Sequence, residues 1–182
     1  MISTNFIHLY QFGCLKQCLT IDVGILLTYL IYSCWSKGLL TSTLAFDIIQ
    51  FLPLLNHQLL LLIWDKVGFD PRIYFFFSNY LIGRKTQYLW NNFVSPLFNI
   101  NIGVRQDSAL SPILSTLYIS PIFHIFNKRA KNSSIFISFL SFVDNGLFIS
   151  QEKFFVKTNA LLFCSYNIIS SLFSQFRLII KH

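Results

Sequence analysis

Phe142-Val143-Asp144-Asn145-Gly146 constrains this chain more than any other stretch. The apolar run Ile135 to Val143 meets Asp-Asn-Gly and returns at once as Leu147-Phe148-Ile149. Asn-Gly between apolar runs signals a hairpin, because these residues accept the left-handed backbone angles that tight turns require. The chain is therefore expected to fold back here as two buried antiparallel strands, with the carboxylate of Asp144 at the tip. A second isolated carboxylate, Asp47, ends the apolar strand Thr43-Leu44-Ala45-Phe46 about a hundred residues earlier. Two acids mounted rigidly at strand ends suit Mg²⁺, which takes one or two carboxylates together with substrate phosphates. Acids at strand ends and in turns are more often simply hydrated, so the pair alone does not define a site.

With 182 residues the chain can bury one sizeable core, in one domain. Its hydrophobic content of 54% and mean hydropathy of +0.57 raise the question of a membrane span. A spanning helix needs roughly 20 mostly apolar residues. The best stretch, Val23 to Ser36, offers 14 between Asp22 and Lys37. Longer uncharged runs, Ile48 to Trp64 and Ser108 to Phe126, are interrupted by Pro, Asn, Gln or His. No spanning helix is expected, and no signal peptide either. The start is not basic, and His8, Gln11 and Lys16 break the region where an apolar core would sit.

Fourteen Lys and Arg against seven acids give a net charge of +7, the sign that suits phosphate backbones. The densest cluster, Lys128, Arg129 and Lys131, falls at the end of a predicted helix, where cations favour the helix dipole without any nucleic acid. The four cysteines, Cys14, Cys18, Cys34 and Cys164, lack paired metal-ligand spacing. His8, Cys14, Cys18 and Cys34 can be drawn as a zinc site, but buried free thiols in a reducing compartment fit the irregular spacing better.

No repeat, low-complexity linker or internal domain boundary is visible. Residues 1–40 read as helical. Thr41 to Ile49 reads as a strand, Leu55 to Val67 as a helix, and Pro71 to Ile82 as a second helix opened by proline. Gln87 to Phe93 and Phe98 to Val104 read as a strand pair across Ser95-Pro96. Pro112 opens a helix spanning Ile113 to Arg129, and a last helix runs from Lys153 to Phe176. Strands interleaved with helices around a central hairpin predict an α+β fold, an antiparallel sheet covered by helices on one face.

Gly103-Val104-Arg105-Gln106-Asp107-Ser108-Ala109-Leu110-Ser111-Pro112 lies between the two acids. In this order the chain resembles the palm of reverse transcriptases, above all the LINE-type (non-LTR) retrotransposon enzymes of fungi. Their first motif is a strand with Asp and an aromatic-containing turn, read here as Phe46-Asp47-Ile48-Ile49-Gln50-Phe51-Leu52-Pro53-Leu54-Leu55-Asn56-His57. Their second is Gly-Val-x-Gln-Gly-Ser-x-x-Ser-Pro, and their third is an aromatic residue, a small residue and two Asp. Gln11-Phe12-Gly13 and Leu81-Ile82-Gly83-Arg84-Lys85 extend the resemblance over nearly the whole chain.

The resemblance implies a palm over residues 41–182 behind a remnant of the fingers over 1–40, with the thumb absent and the C-terminus cut short. It implies RNA-templated DNA synthesis with an RNA template, a DNA primer and a deoxynucleoside triphosphate, in the nucleus or cytoplasm, with no membrane and no specific protein partner. Asp47 and Asp144 would hold Mg²⁺ or Mn²⁺, and Asn145 stands where the family has a third acid. Gln106, Asp107 and Ser108 would line template and incoming nucleotide, Leu52 would sit at the sugar in place of a bulky aromatic, and Arg84 and Lys85 would follow the nucleic-acid backbone.

The chain departs from the pattern at several positions. Asp107 and Arg177 each replace a family Gly, and the chain stops at His182, before the family's next Lys. Lys181 lies too early to be that residue. The changes at 107, 145 and 177 each correspond to a single G→A transition, which suggests a retrotransposon copy damaged by C·G→T·A mutation and catalytically inactive. The alternatives are a residual nucleic-acid-binding module and an unrelated membrane-associated helical protein.

Overall fold

The computed structural model describes residues 6–133 and 137–181. Ile135 and Phe136, which open the expected hairpin strand, and His182 lie outside them. Helix α1 (Thr20–Trp35) begins with the Asp22 carboxylate accepting the Leu19 backbone N–H at 2.6 Å, a favourable place for an acid at a helix start. Strand β1 (Leu40–Ile49) follows, then a single turn α2 (Phe51–Leu54). Helix α3 (His57–Val67) is capped by Asn56, whose side chain accepts the Leu59 N–H, and α4 (Pro71–Leu81) by Asp70, which accepts from Arg72. Four short strands come next: β2 (Lys85–Thr86), β3 (Leu89–Trp90), β4 (Phe93–Val94) and β5 (Phe98–Asn99). The long helix α5 (Ser111–Asn132) leads to the hairpin β6 (Ser138–Phe142) and β7 (Asn145–Glu152), then to α6 (Phe155–Gln175) and β8 (Ile179–Lys181).

The main sheet is antiparallel throughout, in the order β6-β7-β1-β8. One face carries Phe46, Ile48, Phe139 and Phe148 and packs on α5 and α6 through Phe123, Phe126 and Phe173. This aromatic layer is the centre of the core: the Phe46 ring lies 5.3 Å from Phe148 and 5.9 Å from Phe173, in tilted and edge-on arrangements. The mixed fold and the antiparallel sheet agree with the sequence reading.

Three expectations need correction. The helices do not keep to one face: α1 lies across the other, where the Gln151 amide donates to the Leu30 carbonyl and Val23 and Gly24 border Ala45, Leu140 and Leu147. The strand pair expected at Gln87–Phe93 and Phe98–Val104 is instead two short ladders in one arm. Asn91, at φ 51°, turns the chain after Trp90, and the outer ladder pairs Trp90 with Phe93. Pro96, which has no N–H to donate, separates it from an inner ladder pairing Thr86 with Phe98. Finally, Asn145-Gly146 is not the hairpin turn. Phe142 pairs with Asn145, so the loop is Val143-Asp144, with Val143 taking the positive φ of 57°.

Candidate active site

Cross-strand register assembles the site. Phe142 pairs with Asn145, Asn145 with Asp47, and Asp47 with Lys181, so one row crosses all four strands. Directly paired residues in a sheet share a face. The row therefore presents Asn145, Asp47 and Lys181, all exposed, on the face opposite the Phe46 core. Asp144 stands at the end of this row in the hairpin loop, and its carbonyl accepts the Ile48 N–H at 3.2 Å. Two acids separated by 97 positions are thus neighbours.

Their proximity registers in the titration of Asp144. Partial burial raises its carboxyl above the usual range, a backbone hydrogen bond within the residue opposes this, and the charge of Asp47 raises it further. The Asn145 amide donates to Asp144 Oδ1 at 3.1 Å and so occupies a carboxylate lone pair. Lys181 was excluded on sequence grounds because of its spacing. The strand pairing puts it opposite Asp47 all the same. Leu178-Ile179-Ile180 after a long helix hints at a strand, but nothing local gives its register.

The loop holding Asp144 is clamped by Gln11-Phe12-Gly13. Phe12 N–H donates to the Ser141 carbonyl and Ser141 N–H to Tyr10, both at 2.8 Å, which extends the sheet past the edge strand β6. The buried Gln11 side chain donates to the Val143 carbonyl at 3.3 Å, and the Thr116 hydroxyl of α5 donates to the Gly13 carbonyl at 3.3 Å. A Cβ on Gly13 would lie 2.4 Å from the Val143 nitrogen, so only glycine permits this approach.

A second cluster forms around the Gly103 backbone. Gly103 N–H donates to the Leu55 carbonyl at 2.7 Å and Val104 N–H to Leu52 at 2.9 Å, which lays the segment before α5 along α2. The Gly103 carbonyl meets His57 Nε2 at 2.6 Å and accepts from Arg84 at 3.4 Å. Arg84 lies over the Tyr80 ring, and the Tyr80 hydroxyl donates to Ser108 Oγ at 2.9 Å. Leu52, Arg84 and Ser108 are therefore brought together with His57, the last residue of the first motif, and Tyr80 joins them without having been singled out in sequence. Ser108 Oγ also accepts the Leu110 N–H, so it organises the start of α5. Gln106 and Asp107 are exposed in the adjoining loop, and Lys85 sits further out, on β2. Arg177 takes a φ of 58°, whereas Asp107 is not among the residues with positive φ.

Two carboxylates stand together here, Asp47 exposed and Asp144 half-buried, with burial first and then the Asp47 charge making Asp144 harder to ionise; this donor set would suit at most one hard cation. Asn145, donating through its Nδ2, keeps only a neutral carbonyl oxygen to offer, and Lys181 adds a positive charge beside Asp47, so the row supplies no further carboxylate for a second cation. Among the described residues, no group of three His, Cys, Asp or Glu is placed to hold a metal. The zinc alternative is thus not assembled there. The cysteines are free thiols as expected, but only Cys34 is fully buried; Cys14 and Cys164 are exposed and Cys18 is half-buried. Among the described residues no helix is long and apolar enough to cross a membrane.

No protein-family model and no curated protein match this sequence. The structure is similar to that of apo telomerase from Candida tropicalis truncated from its C-terminal domain, with a TM-score of 0.67 and 15% identity. The match covers 90% of this chain and 34% of that one, so the chain spans about a third of its neighbour's length. At that identity the likeness speaks for the fold alone, and it supports a reverse-transcriptase-like fold for this chain.

Proposed function

We propose that this chain is the palm of a reverse transcriptase related to the LINE-type retrotransposon enzymes, with α1 as part of a fingers remnant, and that its catalytic centre is weakened. The observation that carries the reading is the pairing of β1 with β7, which sets Asp47, exposed at the strand end, beside the loop of Asp144 on the sheet face that α1 partly covers. The two sequence motifs come together in a fold of the matching class.

Primer extension joins a 3′-hydroxyl oxygen to the α-phosphorus of a nucleoside triphosphate and breaks the bond to pyrophosphate. A Mg²⁺ or Mn²⁺ held by Asp47 and Asp144 would supply positive charge to that exchange. Asn145 removes one negative charge from the site, and Lys181 offsets part of the remainder, so cation affinity is low. Gln106 and Ser108 lie on the loop leading into α5, on the side where template and incoming nucleotide would pass. Leu52, half-buried under that loop, is too small to reject a ribose 2′-hydroxyl as a bulky aromatic would. Arg84 is tied to the Gly103 carbonyl and positions the loop, while Lys85 is free to meet a phosphate. Asp107 opposes an anionic strand.

Primer extension on an RNA template with Mg²⁺ or Mn²⁺ tests this. The wild type is compared with a variant carrying Asn145→Asp, Asp107→Gly and Arg177→Gly, both proteins first shown to be folded by circular dichroism. Restoration in the variant, with little or no incorporation by the wild type, is the expected result. Silence from both, together with no binding of template–primer by either, refutes the reading.

A further inference from the structure

The arm between α4 and α5 serves no purpose in the core. Its two ladders place Thr86 opposite Phe98 and Trp90 opposite Phe93; between them the Ser95 N–H donates to the Tyr88 carbonyl at 2.9 Å and the Tyr88 N–H donates to the Ser95 hydroxyl oxygen at 2.8 Å. Tyr88 and Trp90, two positions apart, and Phe93, which pairs with Trp90, share one face of this ribbon, and the Tyr88 ring contact brings Phe98 beside them. That face is open: the four residues are 69%, 75%, 62% and 39% exposed. Tyr88 and Phe98 rings lie 5.1 Å apart near its base, leaving Trp90 and Phe93 at the tip.

Charge selects the occupant. From Pro71 to Gln106 the chain holds Arg72, Arg84, Lys85 and Arg105 and not one acid. The turn at the tip is Asn91-Asn92, with amides that both donate and accept hydrogen bonds. Exposed rings along a two-stranded ribbon, in an acid-free basic segment, supply the two terms of single-strand recognition: flat surfaces for unpaired bases and cations for the backbone. A protein partner would need no such absence of acids, and duplex bases are already stacked on one another.

We propose that this arm is a stacking platform for single-stranded RNA or DNA, with Trp90 and Phe93 contacting bases and Lys85 meeting the phosphates. The inference rests on the nucleic-acid reading above and adds to it the strandedness of the ligand and where it is gripped. It asks nothing of Asp47 or Asp144.

The test is fluorescence anisotropy of the full chain with labelled sixteen-residue oligo(U) and oligo(dT), their duplexes, and phosphatidylserine vesicles as a competing surface. Trp90→Ala is expected to weaken single-strand binding about tenfold, and Trp90→Phe to restore most of it. Leu89→Ala, on the opposite face of the ribbon, leaves affinity unchanged, and Lys85→Ala lowers the salt dependence by about one phosphate. All the altered side chains are exposed, and circular dichroism checks folding. Wild-type binding that ignores Trp90→Ala and a Tyr88, Trp90, Phe93 triple-alanine variant overturns the arm proposal and leaves the nucleic-acid reading standing. No oligonucleotide binding by the wild type overturns both. Loss of vesicle binding or of self-association in the triple variant, with oligonucleotide affinity intact, overturns the arm proposal in favour of a lipid or protein surface.

Discussion

Gly146→Ala should damage the site without touching either carboxylate. Gly146 pairs with Phe46 across the β1–β7 ladder, and a Cβ there would lie 2.1 Å from Phe46 Cζ. Ordinary van der Waals contact begins at about 3.4 Å, so the ring would have to retreat by more than an ångström. It has nowhere to go. Phe139 stacks 6.2 Å away and Phe148 and Phe173 close the other sides, all fully buried. Overpacking of this kind costs about 1–3 kcal/mol, and with aromatic neighbours on every side the upper end applies. For a chain of this size that lowers the melting midpoint by about 5–10 °C. The assay is thermal and urea unfolding of Gly146→Ala, Phe46→Leu and the double variant. The smaller Leu should restore much of the loss caused by Ala, giving a favourable coupling of at least about 1 kcal/mol. Gly24→Ala on α1 is the control, because a Cβ there meets nothing within 4 Å and the helix gains up to about 1 kcal/mol. A Gly146→Ala protein as stable as the wild type, or additive effects of the two changes, would refute the close approach and with it the register that unites Asp47 and Asp144.

Asp144→Asn should raise stability at neutral pH while abolishing Mn²⁺ binding measured by paramagnetic relaxation. The folded protein holds the Asp144 proton to higher pH than the unfolded chain, so the acid favours folding at low pH and loses that advantage as pH rises through its raised folded value. The stabilisation by Asn should accordingly fade on acidification. His8 acts in the opposite sense: burial and then the charge of His124 lower it from 6.5 to about 4, so its contribution is complete above 6.5 and lost as pH falls toward 4. Urea unfolding should show acid-sensitive stability, on the order of 1–2 kcal/mol once solvent screening is allowed for, that His8→Gln removes. Arg177→Gly should stabilise by about 1 kcal/mol because it relieves a left-handed residue at φ 58°, whereas Asp107→Gly should not stabilise. Lys181→Ala should tighten Mn²⁺ binding several-fold if the ammonium opposes the cation beside Asp47; unchanged affinity would remove Lys181 from the site.

Much of the architecture was legible locally. Asn56 and Asp70 cap their helices and Pro71 opens one, as short-range chemistry requires. The apolar runs around residues 46 and 140 become strands, and Ser111-Pro112 begins the long helix. The hairpin shows where local signals fail. Asn145-Gly146 has the composition of a turn, yet the loop is Val143-Asp144, because Gly146 is needed two positions later to admit the Phe46 ring. That demand comes from a residue a hundred positions away, and no short-range propensity contains it.

The candidate site divides along the same line. Residue types and chain order by themselves determined that two acids stand at strand ends and that a Gly-Val-x-Gln segment precedes a proline-opened helix. Each of these depends only on neighbouring residues and their backbone preferences. The tertiary structure alone decided that Asn145, Asp47 and Lys181 share one row, that Gln11 and Gly13 clamp the Asp144 loop, and that four aromatic rings line one face of an arm. A one-residue slip in any ladder would send each of these side chains to the opposite face. Register is set by burying Phe46, Phe139, Phe148 and Phe173 together, a condition on the whole sheet that no single stretch of sequence can state.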